Sequence, residues 1–255
     1  MKFFIATATD VGIKRDSNQD SLFANEYETP CGRVAFAVLC DGMGGLQHGE
    51  VASASIVGAF SAWAEETLPR LSPDMLEDCH IRREWMRIVA SENEKLREYG
   101  RLNGCSIGST LVALLLTQSR YYALNIGDSR IYRLAGRAEQ LTEDHTLVAE
   151  EIRKGNLTEE QATASPIKSV LTRCVGVSAH VYPDLFFGDT GVETAYMLCS
   201  DGFRHKITKD EMLEQLLPRG GSDASSLDEG LRTLIERNKA RGETDNISAI
   251  DIYVR

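Results

Sequence analysis

Five aspartates of this 255-residue chain stand where carboxylates from distant segments can meet. Asp41 closes the apolar run 34–40 and opens Asp41-Gly42-Met43-Gly44-Gly45. Asp128 closes the run 121–126 in Gly127-Asp128-Ser129-Arg130, and Asp201 closes 195–199 in Ser200-Asp201-Gly202. Asp245 precedes the last strand-like run, and Asp20 begins an earlier one in Arg15-x-x-Asn18-Gln19-Asp20. Each alone reads as turn chemistry, because Asp-Gly is a common turn dipeptide. Their shared placement weakens that reading, since several strand ends deliver a carboxylate and strand ends can converge at one edge of a sheet core. Clustered carboxylates repel, and proximity raises their pKa values unless a cation neutralises them. Hard oxygen donors with water suit Mg²⁺ or Mn²⁺, and two such ions form the usual clamp for phosphate-ester hydrolysis. The glycines beside Asp41 and Asp201 let backbone come close to a metal or substrate.

The elements that must position these residues follow from hydrophobic periodicity. Residues 3–8 read as a first strand, and 34–40 as a buried strand meeting a sharp turn. From 50 to 68, Val51, Ala54, Val57, Phe60, Ala64 and Leu68 step by three and four, which is a helical stripe. Met75, Cys79, Met86, Val89 and Leu96 make a second stripe between Pro73 and Gly100. Runs 111–116 and 121–126 flank Gln118-Ser119 and form a hairpin. Residues 142–177 are polar and mixed in period, a helical excursion or a flap. Leu227, Leu231, Leu234 and Ile235 mark a third helix. Ile250, Ile252 and Val254 alternate with Asp251 and Tyr253, which predicts a closing strand with one wet face. Strands and helices come in blocks, so the fold class is α+β, with antiparallel sheets and helices packed outside them.

Composition narrows the function. The formal net charge is −10, with 42% hydrophobic and 26% charged residues. An acidic chain lacks the basic face that non-specific nucleic-acid binding needs. No run approaches the roughly 18 apolar residues of a membrane span. The six cysteines form no Cys-x-x-Cys pair, so neither a zinc ribbon nor a dithiol redox site is indicated. Gly104-Cys105-Ser106-Ile107-Gly108 matches the G-x-S-x-G nucleophile elbow, with Asp128 and His145 following in order. That elbow needs a strand before the serine and a helix after it, and here the order is reversed, which leaves a serine hydrolase using Ser106 as the least favoured reading.

The motifs, taken together, resemble the protein phosphatase 2C family of metal-dependent serine/threonine phosphatases in its compact bacterial form. The resemblance spans nearly the whole chain. Its landmarks run in order through Arg15-x-x-Asn18-Gln19-Asp20, Asp41-Gly42-Met43-Gly44-Gly45 with Gly49-Glu50, and Gly108-Ser109-Thr110-Leu111. They continue through Asn125-Ile126-Gly127-Asp128-Ser129-Arg130, Leu141-Thr142-Glu143-Asp144-His145, Leu171-Thr172-Arg173 with Gly176, Cys199-Ser200-Asp201-Gly202 and Asp245-Asn246-Ile247. The resemblance implies one catalytic domain over 1–255, a four-layer α-β-β-α sandwich with a flap at approximately 146–180. It implies two Mn²⁺ or Mg²⁺ ions and a weaker third. Asp41 would bridge the two ions, with the Gly42 carbonyl assisting. Asp201 and Asp245 would complete one ion, and Asp20 would act near the other through water. Asp128 and Asp201 would hold the third. Arg15 would grip the substrate phosphate, as a guanidinium can hold two oxygens at once.

The activity so implied is hydrolysis of phosphoserine and phosphothreonine in proteins by a metal-activated water, without a phosphoenzyme. The implied setting is a cytoplasmic monomer in signal transduction, acting on phosphorylated proteins and opposing a cognate serine/threonine kinase. The alternative is a catalytically inactive module of the same fold that binds or senses. The chain departs from the family's pattern at Gln19, where many members carry an acid, at Met43 and Leu46, where some carry histidine, and at Ser169, where asparagine is common. No residue is assignable as general acid; His48 is a tempting substitute.

Overall fold

The structure is a computed structural model that describes residues 1–44, 48–163, 165–217 and 224–255. Gly45 and Leu46, singled out above, lie outside the described residues. Among the described residues, all the strand pairings are antiparallel. One sheet joins β1 (Phe3–Asp10), β11 (Ile247–Val254), β10 (Thr194–Cys199), β7 (Arg130–Leu134) and β8 (Ala138–Gln140) in that order. The other runs β2 (Asp20–Thr29), β3 (Gly32–Gly44), β5 (Leu111–Leu116), β6 (Arg120–Ile126) and β9 (Asp184–Asp189), with short β4 (Ile107–Ser109) on the end of β3.

Side-chain alternation sorts these strands into three apolar layers. Val34, Phe36, Val38 and Cys40 of β3 face α1 (Gly49–Thr67) and α2 (Asp78–Asn103). Ala35, Ala37 and Leu39 face the opposite sheet, where Ile250, Ile252 and Val254 meet them. Beyond the other sheet, Ala249 and Tyr253 pack with Met212 of α6 (Lys209–Leu216) and with Leu227, Leu231 and Leu234 of α7 (Ala224–Ala240). The result is the expected α-β-β-α order. A Thr208–Glu211 capping box starts α6, satisfying two of the amide donors a helix start leaves open. The outer layer over α2 is anchored by aromatics: Trp85 meets Trp63 at 5.8 Å and Phe60 at 6.2 Å between ring centroids.

Two sequence expectations need correction. The second helical stripe holds at Val89 and Leu96 but not at Cys79 and Met86, which are exposed; Ile81 and Trp85 join the buried face instead. The bulkier Trp and Ile bury more apolar area and so set the rotation of the helix. On α1 the same holds locally, with Ala54 exposed and Ala52 and Ile56 buried instead. The closing strand β11 has no wet face, because it inserts between β1 and β10 and is buried at all eight positions. Segment 146–180 holds two short helices, α3 (Leu147–Arg153) and α4 (Glu159–Thr163), and is tied down by the bridges Thr146–Leu171 and Ser109–Val175. The short helix α5 (Asp201–Arg204) follows β10 directly.

Candidate active site

Alternation along β3 sends Asp41 to the same side as Ala35, Ala37 and Leu39, into the gap between the sheets at the end of the sandwich. Asp20 lies directly opposite Asp41 in the β2–β3 register, so the two side chains share that face. Asp201 starts α5 at the end of β10, Asp245 leads into β11, and Asp128 sits in the turn between β6 and β7. Arg15, Asp41, Gly42, Asp128, Asp201 and Asp245 line one cavity of about 330 Å³. Ser169 and Leu171, from segment 146–180, and Gln19 and Met43 complete part of its wall. Asp20 is not on that wall; both of its carboxyl oxygens are sealed from solvent beside Asp41.

Neighbouring strands hold Asp41 by its backbone. The Thr110 hydroxyl accepts from the Asp41 amide at 2.9 Å, while the Thr110 amide and the Ser109 hydroxyl both donate to the Asp41 carbonyl at 2.9 Å. Gly42 is dictated by space: its amide donates to Gln19 O at 3.0 Å, and a Cβ there would lie 2.1 Å from Gly49 O. Asn246 welds the loop carrying Arg15 to the start of β11. Its amide donates to the carbonyls of Val11 and Ser17, and its side-chain oxygen accepts from Gln19 N–H. Gly12, at φ +79°, lets that loop pack closely on Asp245, because a Cβ there would lie 2.2 Å from Asp245 O. Arg15 itself reaches Asp245 at 2.9 Å with its side chain 51% exposed, so the guanidinium is free to exchange partners.

The carboxylates perturb one another as the sequence argument requires. Burial pushes Asp20 up to about 7, although the Ser248 and Ser200 hydroxyls favour its charged form, and Asp201 and Asp245 push it further. Those hydroxyls do not reach it in good hydrogen-bond geometry, and both oxygens stay unpartnered. Burial first, then the charges of Asp20, Asp201, Asp128 and Asp245, raises Asp41 well above the usual carboxylate range. Asp128 rises to about 6 by burial and the Asp201 charge, and Asp201 rises to about 6 by burial against the opposing pull of Arg204. One Asp201 oxygen is also without a hydrogen bond. Buried, orphaned carboxylate oxygens facing one another are a site built for a cation.

The donor set fits hard divalent ions. Among the described residues, no three His, Cys, Asp or Glu side chains close into a cage that would hold an ion unaided. Mg²⁺-like ions keep several waters and use few carboxylates, and Gly42 lies on the cavity wall beside Asp41. The thiols offer nothing to the chemistry: burial lifts Cys40 well above its usual value and Cys199 to about 12. Ser106 sits exposed just after Gly104, whose φ of +64° ends α2, and among the described residues His145 pairs with Gly127 and Asp184 rather than with Ser106. His145 is committed elsewhere: its Nδ1 accepts from Gly127 N–H at 3.1 Å and its Nε2 pairs with Asp184 at 2.9 Å. His48 caps α1 with φ 84°, sets its ring 6.0 Å from Tyr99, and does not line the cavity.

Three features escaped the sequence reading. Thr110 was visible only as part of Gly108-Ser109-Thr110-Leu111, with no role attached. The His145–Asp184 pair, joined by Arg173 to Asp184 at 2.8 Å, clamps segment 146–180 to the Gly127-Asp128 turn across large sequence distances. Arg204 pairs with Asp128, and its helical spacing from Asp201 was a signal that could have found it.

Comparison with known proteins agrees with this geometry. The family model described as protein phosphatase 2C matches residues 13–236. The serine/threonine phosphatase stp of Listeria monocytogenes is 34% identical over 250 residues, covering 95% of this chain and 92% of that protein. The solved serine/threonine phosphatase of S. agalactiae superposes with a TM-score of 0.85 at 31% identity, covering all of both chains. The catalytic domain of the serine/threonine phosphatase PstP, solved in complex with two manganese ions, superposes with a TM-score of 0.81 at 26% identity and 99% coverage of both chains. With its motifs in order, its layers matched and its aspartates gathered at one cavity, the chain belongs to the protein phosphatase 2C family.

Proposed function

We propose that the chain hydrolyses phosphoserine and phosphothreonine in cytoplasmic proteins, as one catalytic domain whose segment 146–180 forms a flap beside the cavity. The observation that carries this reading is the convergence of Asp20, Asp41, Asp128, Asp201 and Asp245 at one end of the sandwich, where burial and neighbouring charge raise the first four above the usual carboxylate range, a strain that bound cations would relieve. Asp41, the Gly42 carbonyl, Asp201 and Asp245 would hold two Mn²⁺ or Mg²⁺ ions, with Asp20 supporting Asp41 from behind. The ions, when bound, activate water and withdraw charge from the phosphoryl oxygens.

The rest falls to the chain itself. Arg15, half exposed at the cavity mouth, moves from Asp245 to the incoming phosphate and holds two of its oxygens. The Thr110 and Ser109 hydrogen bonds keep Asp41 from drifting when substrate arrives. Direct attack by water is supported by the state of the hydroxyl and thiols nearest Asp41 and Asp201. The Thr110 hydroxyl is tied to Asp41 and to Ser129 at 2.8 Å, and the nearby thiols are buried and protonated. The substrates would be proteins phosphorylated by a cognate serine/threonine kinase.

The test pairs activity with binding. A phosphothreonine peptide should be hydrolysed only with added Mn²⁺ or Mg²⁺, and Asp41→Asn or Asp201→Asn should abolish turnover. Mn²⁺ at a hundred times its Kd should stabilise the wild type by about 2.7 kcal/mol, and less in either variant. Turnover that needs no metal and survives both changes would overturn the proposal. A wild type that binds Mn²⁺ but never hydrolyses would instead identify the inactive binding module.

A further inference from the structure

Asp128 already has a cation. Arg204 ends the single turn of α5 that Asp201 begins, so the two side chains project from one face of that turn. The Arg204 Nη2 donates to the Asp128 carbonyl at 3.1 Å and to its Oδ2 at 3.3 Å. It also lies 3.7 Å from Asp144 Oδ2. Asp144 is not in need of it, because Arg130 holds both Asp144 oxygens at 2.8 and 2.7 Å. Arg204 is therefore left to Asp128. The pair is well enclosed, with side-chain exposures of 13% and 9%, and the Arg204 Nε is buried without a partner. A buried guanidinium whose other nitrogen is unsatisfied stays in place because its charge is matched there.

This arrangement bears on the third ion that family resemblance would put between Asp128 and Asp201. Two arginines face the two carboxylates Asp128 and Asp144, so the charge of Asp128 is balanced before any ion arrives, with Asp201 the remaining carboxylate beside it. A divalent ion arriving at Asp128 would meet a fixed positive charge within hydrogen-bond reach of the same oxygen, in surroundings that screen poorly. We infer that Arg204 is a built-in cation that takes the place of the third ion, so that this chain binds two divalent ions rather than three. The inference rests on the two-ion reading above and adds to it the stoichiometry.

Equilibrium dialysis of Mn²⁺ alone, counted by mass spectrometry and by the electron-spin signal of free Mn²⁺, tests it without reference to turnover. Wild type should saturate at two ions per chain, and Asp128→Asn should leave that number unchanged. Arg204→Ala should gain a third, weaker site, which the double change with Asp128→Asn should remove again. Arg204→Lys, which keeps a charge, should stay at two; it and Arg204→Gln also serve if the alanine variant does not fold, with the glutamine variant expected to gain the site. Three ions in wild type, falling to two in Asp128→Asn, would overturn the inference and leave the proposed function standing. Two ions in every Arg204 variant would do the same. No Mn²⁺ bound by wild type would overturn both.

Discussion

Asp251 offers a quantitative test of the fold. It lies in the middle of β11, opposite Ala6 and Met197, on the face that packs against α7. It is 0% exposed, and neither carboxyl oxygen has a hydrogen bond of good geometry. Burial holds it well above the usual carboxylate range, opposed only in part by the Ile252 amide. The sign follows from linkage: the native state keeps a proton that the unfolded chain releases above about pH 3.9. Stability must then fall as pH rises, by about 1.4 kcal/mol per pH unit for one proton, until the native carboxyl also ionises. Asp251→Asn has no proton to lose at this site. Urea unfolding of both proteins at pH 5 and pH 6, with divalent ions chelated in each, isolates the effect, because the active-site aspartates contribute equally to both. Wild type should lose about 1.4 kcal/mol more than the variant over that unit, or about 3–6 °C in Tm for a chain of this size. Equal losses would refute the argument, whatever constant offset the asparagine introduces.

Two further outcomes follow from packing and from hydrogen bonding. Thr110→Val keeps shape but removes the acceptor of the Asp41 amide. It should lower kcat/KM by about 10–100-fold through misplacement of Asp41, with Mn²⁺-dependent thermal shifts measured alongside to show that the variant still folds; an unchanged kcat/KM would remove Thr110 from any positioning role. Trp85→Ala empties the centre of the Phe36, Phe60 and Trp63 cluster and should cost about 3–5 kcal/mol in urea unfolding, and a loss below about 1 kcal/mol would contradict the claim that Trp85 anchors α2.

Much of the site was legible because it is built on strand ends. An apolar run followed by Asp-Gly reports both a buried strand and the residue at its mouth, and this held at Asp41 and Asp201. Period-two alternation then fixes which face Asp41 and Asp20 share, so their meeting is a local consequence of β2 pairing with β3. The layer order was legible for a similar reason: strands and helices arrive in blocks, which favours antiparallel sheets covered by helices.

What the chain order could not reveal depends on contacts between segments far apart in sequence. A terminal strand with an alternating pattern reads as half wet, yet β11 is inserted between β1 and β10, and its Asp251 is sealed in. A helix stripe read from apolar letters placed Val89 and Leu96 rightly on α2 but misplaced Cys79 and Met86, because the rotation there answers to the volume of Trp85 against Phe60 and Trp63. The amino-acid sequence by itself determined the carboxylates, their places at strand ends and the hard-cation chemistry they suit. Only the tertiary structure decided how they are held and balanced: Thr110 on Asp41, Asn246 across the Arg15 loop, and Arg204 on Asp128, 76 residues away in the chain. The physical reason is that a hydrogen bond or ion pair is set by distance in space, to which local periodicity is blind.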